Sequence, residues 1–131
     1  SGHKMILVVC DNEGYAVIER LQVNQGGASY NNMLADSNGT GIDARVNFAA
    51  HAASMGADTY EVHSLAEFAD ALSSARKADK TAVIVTKVRA NDFTEGGAFW
   101  QVGVPEVSDR PSVSAARTKM DDGLRAQRPG I

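Results

Sequence analysis

The sequence predicts an α/β protein: a partial doubly wound parallel sheet, with an extended carboxy-terminal tail and helix. Three observations carry this reading. Met5 to Cys10 and Thr81 to Val88 are continuous apolar, β-branched runs bounded by polar residues, the pattern of strands covered on both faces. Between them, helical stripes alternate with a further short strand, and strands joined by helices pair in parallel through crossover connections. The chain has 131 residues, 44% apolar and 22% charged, enough for one core but not two. One partial domain is therefore expected, with 1–88 as the α/β core and 89–131 as tail and terminal helix.

The first strand opens almost at once, so the domain is expected to be cut from something larger. After the polar turn Asp11-Asn12-Glu13-Gly14, residues Tyr15, Ile18 and Leu21 fall on one helical face with Val17 beside them, a helix to about Gln22. Asn24 to Gly41 is rich in Gly, Asn and Ser and has no period, so it reads as a long loop. Loops of that length in compact domains are usually functional or disordered. Asp43 is placed to cap a helix to about Met55, with Val46, Phe48, Ala49, Ala52 and Ala53 available for burial and Gly56 as the stop. Thr59 to His63 is a short strand. Ser64-Leu65-Ala66-Glu67 is a capping box, and Leu65, Phe68, Ala69, Leu72 and Ala75 continue from it as a helical stripe ending near Lys77.

Beyond Arg89 come an aromatic patch at Phe93 to Trp100, an extended Val102 to Val107, and a last helix from about Pro111 to Leu124. Val113, Ala116, Met120 and Leu124 line one face of that helix, and proline suits its first turn. Phe99 and Trp100 read as a core plug. Three short strands leave one of central character at an edge, which invites pairing with another chain; association with a copy of itself is expected.

The bulk chemistry excludes several classes. A net charge of -3 and a pI near 5.5, with Lys and Arg scattered, argue against nucleic acid. No apolar run is long enough to span a membrane, and no secretory signal opens the chain. A cytoplasmic protein is expected. The single cysteine, Cys10, has no internal partner and is expected to pack as a small hydrophobe. His3, His51 and His63 lack carboxylate or cysteine neighbours at metal-ligand spacing. Gly39-Thr40-Gly41-Ile42-Asp43-Ala44 fits a dinucleotide fingerprint on paper but follows a loop rather than a strand. Arg110, Arg117, Lys119, Arg125 and Arg128 read as a solvated helical face.

The turn Asp11 to Tyr15 sits where open α/β sheets do chemistry, at the carboxyl end of a strand before a helix. The Asn12 carboxamide oxygen and a freed Gly14 carbonyl are hard donors suited to magnesium, which takes few protein ligands and borrows phosphate oxygens. The plain alternative is a polar turn in which Asn12 merely caps the helix.

Met5 to Leu21 as a whole resembles the second half of the thiamine-diphosphate signature, which begins with Gly-Asp-Gly and closes with Asn-Asn or Asp-Asn after an apolar strand. The resemblance implies thiamine diphosphate and Mg2+ as cofactors. Asn12 and the Gly14 carbonyl would then be magnesium ligands and cofactor contacts, with Tyr15 a further cofactor-binding candidate and the Gly26 to Asn32 loop a cover. Asp11 stands where many members have Asn.

Glu19 to Gln22, the loop to Asn31-Asn32, Val46 to Ala52, Ser54 to Ala57, Glu95 to Trp100 and Val104 to Ser108 are similar to the carboxy-terminal region of the trihydroxycyclohexane-dione hydrolases of inositol catabolism. That similarity implies ring opening of a cyclic dione by carbon–carbon cleavage and hydration. The Gly-Asp-Gly half is absent, as is the pyrimidine-binding domain, whose glutamate another subunit supplies in the family. The implied partners are therefore the amino-terminal domains of the same enzyme and further copies of it, and the chain alone is expected to be inactive. Two other readings stay open: a fragment of an acetolactate-synthase-like carboligase, or a free-standing α/β interaction module without catalysis.

Overall fold

The computed structural model describes residues 2–36, 45–92 and 103–127. Strands β1 (Ile6–Asp11), β2 (Asp58–Val62) and β3 (Ala82–Lys87) form one parallel sheet in the order β1-β3-β2. Helices α1 (Ala16–Asn24) and α2 (Phe48–Ser54) lie between β1 and β2, α3 (Leu65–Lys77) joins β2 to β3, and α4 (Pro111–Ala126) follows. The α/β class and the parallel pairing expected from the two apolar runs are what the chain adopts.

β3 is the central strand. Ile6 to Asp11 pair in register with Ala82 to Lys87 on one side, and Asp58 to Val62 with Ala82 to Thr86 on the other. Ala82, Val83 and Ile84 are all buried, and burial of successive residues means that both faces are covered. The first crossover passes β3 to reach β2 and the second returns to β3, and the right-handed rule for parallel strands assigns the helices of two such connections to opposite faces. On one face Ala71 and Ala75 of α3 pack with Val62, Ala82 and Ile84, with Phe68, Leu72, Tyr60 and Ile6 around them. α2 packs against β2 and β3, burying Ala49 and Ala52.

Local signals explain the helix boundaries. Ser64 Oγ accepts from the Glu67 N–H at 3.2 Å, while Glu67 Oε2 accepts from the His63 N–H at 2.8 Å, so the box closes one residue earlier than the standard pattern. At its far end Lys4 Nζ donates to the Arg76 and Ala78 carbonyls, a cation placed on the negative pole of α3. α2 stops at Gly56, whose φ of 90° suits glycine. There the Gly56 and Ala57 N–H groups return to the Ala53 and Ala52 carbonyls at 2.9 and 3.2 Å, the Schellman pattern.

Several expectations need correction. α2 begins at Phe48, capped by Asn47, whose Oδ1 accepts from the Ala50 N–H at 2.8 Å; Asp43 lies outside the described residues, and Val46 precedes the helix and is exposed. Leu65 and Ala69 are also exposed, because α3 turns the Phe68, Ala71, Leu72 and Ala75 side to the sheet. β1 is not covered on both faces: Leu7 and Val8 are 41% and 44% exposed. Cys10 is exposed rather than packed.

The physical reason is shared. α2 and α3 lie over β2 and β3, and no helix among the described residues makes extensive contact with β1, although Ile6 reaches the α3 core. Residues 103–107 form no strand. Phe99, Trp100 and the Gly39 to Ala44 segment fall outside the described residues.

Ile84 is fully buried at the centre of the sheet. Ile84→Ala removes its side chain without room for collapse and is expected to lower unfolding free energy by about 2–5 kcal/mol. Urea unfolding of parent and variant measures this; coincident curves would show that β3 is not the core.

Candidate functional site

At the end of β1 the backbone makes two successive side-chain-closed turns. Asp11 Oδ1 accepts from the Glu13 N–H at 2.9 Å, and Asn12 Oδ1 accepts from the Gly14 N–H at 3.2 Å. Glu13 takes a left-handed φ of 58°, and its carboxylate is tied to Lys87 Nζ at 2.7 Å, anchoring the turn to the end of β3. Asn12 does not cap α1: the N-cap residue is Tyr15, with no side-chain cap bond. Its amide oxygen spends one lone pair inside the turn and keeps a second.

The turn is locked against the loop that follows α1. The Tyr15 N–H donates to the Asn32 carbonyl at 2.7 Å and the Leu34 N–H to the Glu13 carbonyl at 2.9 Å, bringing Gly14 opposite Met33. A Cβ on Gly14 would lie 2.6 Å from the Asn32 oxygen and 2.8 Å from the Met33 Cα. Space, not backbone angle, demands glycine here. No described backbone N–H donates to the Gly14 carbonyl.

The loop is fixed in turn to α1. Asn32 Nδ2 donates to Glu19 Oε2 at 2.8 Å and to Gln22 Oε1 at 2.9 Å. Hydrogen bonds from Ser29 and Asn32 hold the Glu19 carboxyl below the usual carboxylate range.

These contacts enclose a cleft of about 410 Å³ at the carboxyl end of β1, lined by Asn12, Gly14, Tyr15, Asn32, Met33 and Phe48 among others. A second cleft of about 340 Å³, lined by Asp11, Arg45, Glu61, His63 and Lys87 among others, adjoins it across the strand ends. Asn12, Gly14 and Tyr15, the candidates read from sequence, thus come together on one wall. Tyr15 is 72% exposed there. Among the described residues no group of three His, Cys, Asp or Glu could hold a metal. A hard cation held by an amide oxygen, a main-chain carbonyl and phosphate oxygens requires no such cluster.

Sequence reasoning missed the Asn32 clamp on Glu19 and Gln22. Its only signal was the adjacent Asn31-Asn32 pair. It also missed Arg117, read as solvated: its side chain is 29% exposed, donates to the Val104 carbonyl at 3.3 Å and pairs with Asp121 at 3.1 Å.

Residues 1–86 match the family described as thiamine pyrophosphate enzyme, C-terminal TPP binding domain. The chain belongs to that family. Relatives of this thiamine pyrophosphate enzyme domain carry the name 3D-(3,5/4)-trihydroxycyclohexane-1,2-dione hydrolase. The protein so named in Halalkalibacterium halodurans is 37% identical over 87% of this chain and 18% of its own length. One from Bacillus cereus is 33% identical over 95% of this chain, and one from Bacillus anthracis 34% over the same share. The chain spans about a fifth of the length of these curated relatives, 20% in the latter two. No solved structure matches it. No helix among the described residues is long and apolar enough to cross a membrane.

Gly14→Ala drives a methyl group into the Asn32–Met33 backbone, and overpacking of this kind costs about 1–3 kcal/mol. The variant is expected to melt several degrees lower than the parent and to lose amide protection at Leu34. Unchanged melting and exchange would mean that the close approach does not exist in solution.

Proposed function

We propose that this chain is the carboxy-terminal part of a thiamine-diphosphate- and magnesium-dependent hydrolase that opens the ring of 3D-(3,5/4)-trihydroxycyclohexane-1,2-dione in inositol catabolism. The observation that carries the proposal is the similarity to relatives of that name over 95% of the chain, tail included. A general cofactor-domain likeness would not extend past residue 86. The cleft supports the cofactor half of the reading. Asn12, whose amide oxygen has a second lone pair, and Gly14, whose carbonyl takes no described backbone N–H, both line it at the carboxyl end of a strand.

In this reading Asn12 Oδ1 and the Gly14 carbonyl are magnesium ligands, and Tyr15 and the Gly26 to Asn32 loop line the diphosphate. Thiamine diphosphate supplies the nucleophilic carbon and the electron sink for carbon–carbon cleavage. The chain's own residues position. The Asx turns aim the two oxygens, the Lys87–Glu13 pair fixes the turn to β3, and the Asn32 clamp holds the opposite wall. One partial domain, working with the amino-terminal domains of the same polypeptide in a cytoplasmic homo-oligomer, completes the assignment. The exposed apolar residues of β1 and α1 fit a strand and helix that other parts of the enzyme cover.

Because the chain holds part of a site, it is expected not to bind the cofactor tightly alone. Calorimetry detecting tight, magnesium-dependent thiamine diphosphate binding by the 131-residue chain would overturn that. In the longer enzyme, Asn12→Ala is expected to weaken magnesium-dependent cofactor binding on the order of 10–100-fold, the range seen when even supporting residues of a metal site are lost. Turnover of the cyclic dione, against carboligation of 2-oxo acids, separates this substrate from a carboligase. Light scattering tests the assembly, a monomeric mass at micromolar concentration counting against it.

A further inference from the structure

The loop that walls the cleft is held from two sides, and the second holder comes from the far end of the chain. Gly26, just past α1, takes a φ of 85°, and a Cβ there would lie 2.4–2.5 Å from the Ser112 carbonyl and the Val113 nitrogen. Ser112 Oγ donates to the Gly26 carbonyl at 2.7 Å, 86 positions away in sequence. Val113, the next residue, is buried, while α4 makes no extensive contact with any strand or other helix. The first turn of α4 therefore seats on the loop rather than on the sheet.

From Gly26 the restraint runs inward. The Gly27 N–H returns to the Gln22 carbonyl at 3.0 Å, Gln22 Nε2 donates to the Ala28 carbonyl, and Gln22 Oε1 accepts from Asn32. Asn32 in turn accepts from the Tyr15 N–H beside Gly14. Gln22 is thus the shared node between the α4 seat and the wall of the cleft.

We infer that the start of α4 is a strap, with Ser112 and Gly26 as positioning residues that set the Asn31 to Leu34 wall and, through it, the Asn12–Gly14 turn. This rests on the cofactor reading only for what the wall faces; the strap is a property of the fold. Without it, the loop is tied only to α1 and to the Glu13–Tyr15 turn, by exposed and half-buried groups that open at small cost. A loop that opens lowers the fraction of molecules with a formed cleft, and apparent cofactor affinity falls by that fraction.

The test uses the longer enzyme with Ser112→Ala, Ser112→Thr and Gly26→Ala. Hydrogen exchange at the Tyr15 and Leu34 amides and calorimetric titration with thiamine diphosphate and magnesium are read for each. Loss of one neutral hydrogen bond in Ser112→Ala is expected to speed exchange at both amides about five-fold and to weaken cofactor binding by a like factor. Ser112→Thr, which keeps the hydroxyl, restores both, and Gly26→Ala exceeds the serine variant in both. The unfolding midpoint of the Ser112→Ala enzyme stays close to the parent, separating positioning from general destabilisation. Unchanged exchange in Ser112→Ala and Gly26→Ala overturns the strap whatever the affinity does. Faster exchange with unchanged cofactor affinity upholds the strap and overturns instead the assignment of this cleft to the cofactor.

Discussion

Gly14 and the Asn32–Met33 backbone approach so closely that no side chain fits between them, and the cleft exists because of that approach. Two main-chain hydrogen bonds flank it, one on each side, and make the strand-to-helix turn and the post-helix loop a single unit. Neither segment has regular structure among its described residues beyond a short turn of 3-10 helix in the loop, and the turn includes a left-handed Glu13. Irregular backbone of this kind keeps its shape only where its polar groups find partners. Here Asp11, Asn12, Glu19, Gln22 and Asn32 supply them. The polar richness of both segments is therefore structural as well as chemical. A loop this polar can be ordered without a core beneath it.

The sheet is lopsided in a way that bears on function. Residues Ile6 to Cys10 of β1 are as apolar as the central strand, yet Leu7, Val8 and Cys10 are exposed in the described chain. Tyr15, Val17 and Ile18 at the start of α1 are exposed as well. Singly exposed apolar residues are ordinary, but six along one strand and the helix after it, on both faces of the strand, fit an element that other parts of a larger protein cover. An unpaired parallel edge of this composition would also template pairing with another chain. The cleft lies at the carboxyl end of that same strand.

Much of the fold was legible because it rests on local rules. The two apolar runs, the Ser64 to Glu67 box, the Gly56 stop and Pro111 in a first turn each place an element boundary from a few neighbouring residues. What was not legible depends on the third dimension. Cys10 and Val8 look buried by composition, and only the absence of a described helix over β1 exposes them. Leu65 fits a helical stripe by spacing, yet in the first turn it is exposed, while Phe68 and Leu72 pack against the core. Asp43 and Asn47 are both good caps on paper, and the tertiary start of α2 chose the second. At the site, Asn12, Gly14 and Tyr15 could be named because they share one turn. Gln22, Asn32, Gly26 and Ser112 could not, since their hydrogen bonds link residues with no common period.

Why a glycine at 26 and a serine at 112 should matter to a turn at 12–14 follows from how little else restrains the loop. α1 exposes Val17, Ile18 and Val23 and makes no extensive contact with any strand. The loop's other described ties are to this helix and to the Glu13–Tyr15 turn. Seating α4 on Gly26 adds a second anchor from an element stabilised separately: Arg117, paired with Asp121 one turn along the same helix, ties α4 to the Val104 carbonyl, and Val113 and Val104 are buried. Two anchors on independent elements constrain a loop more than two on one, because fluctuations of either element alone no longer displace it. The tail is in this sense part of the site, although none of its described residues lines the cleft.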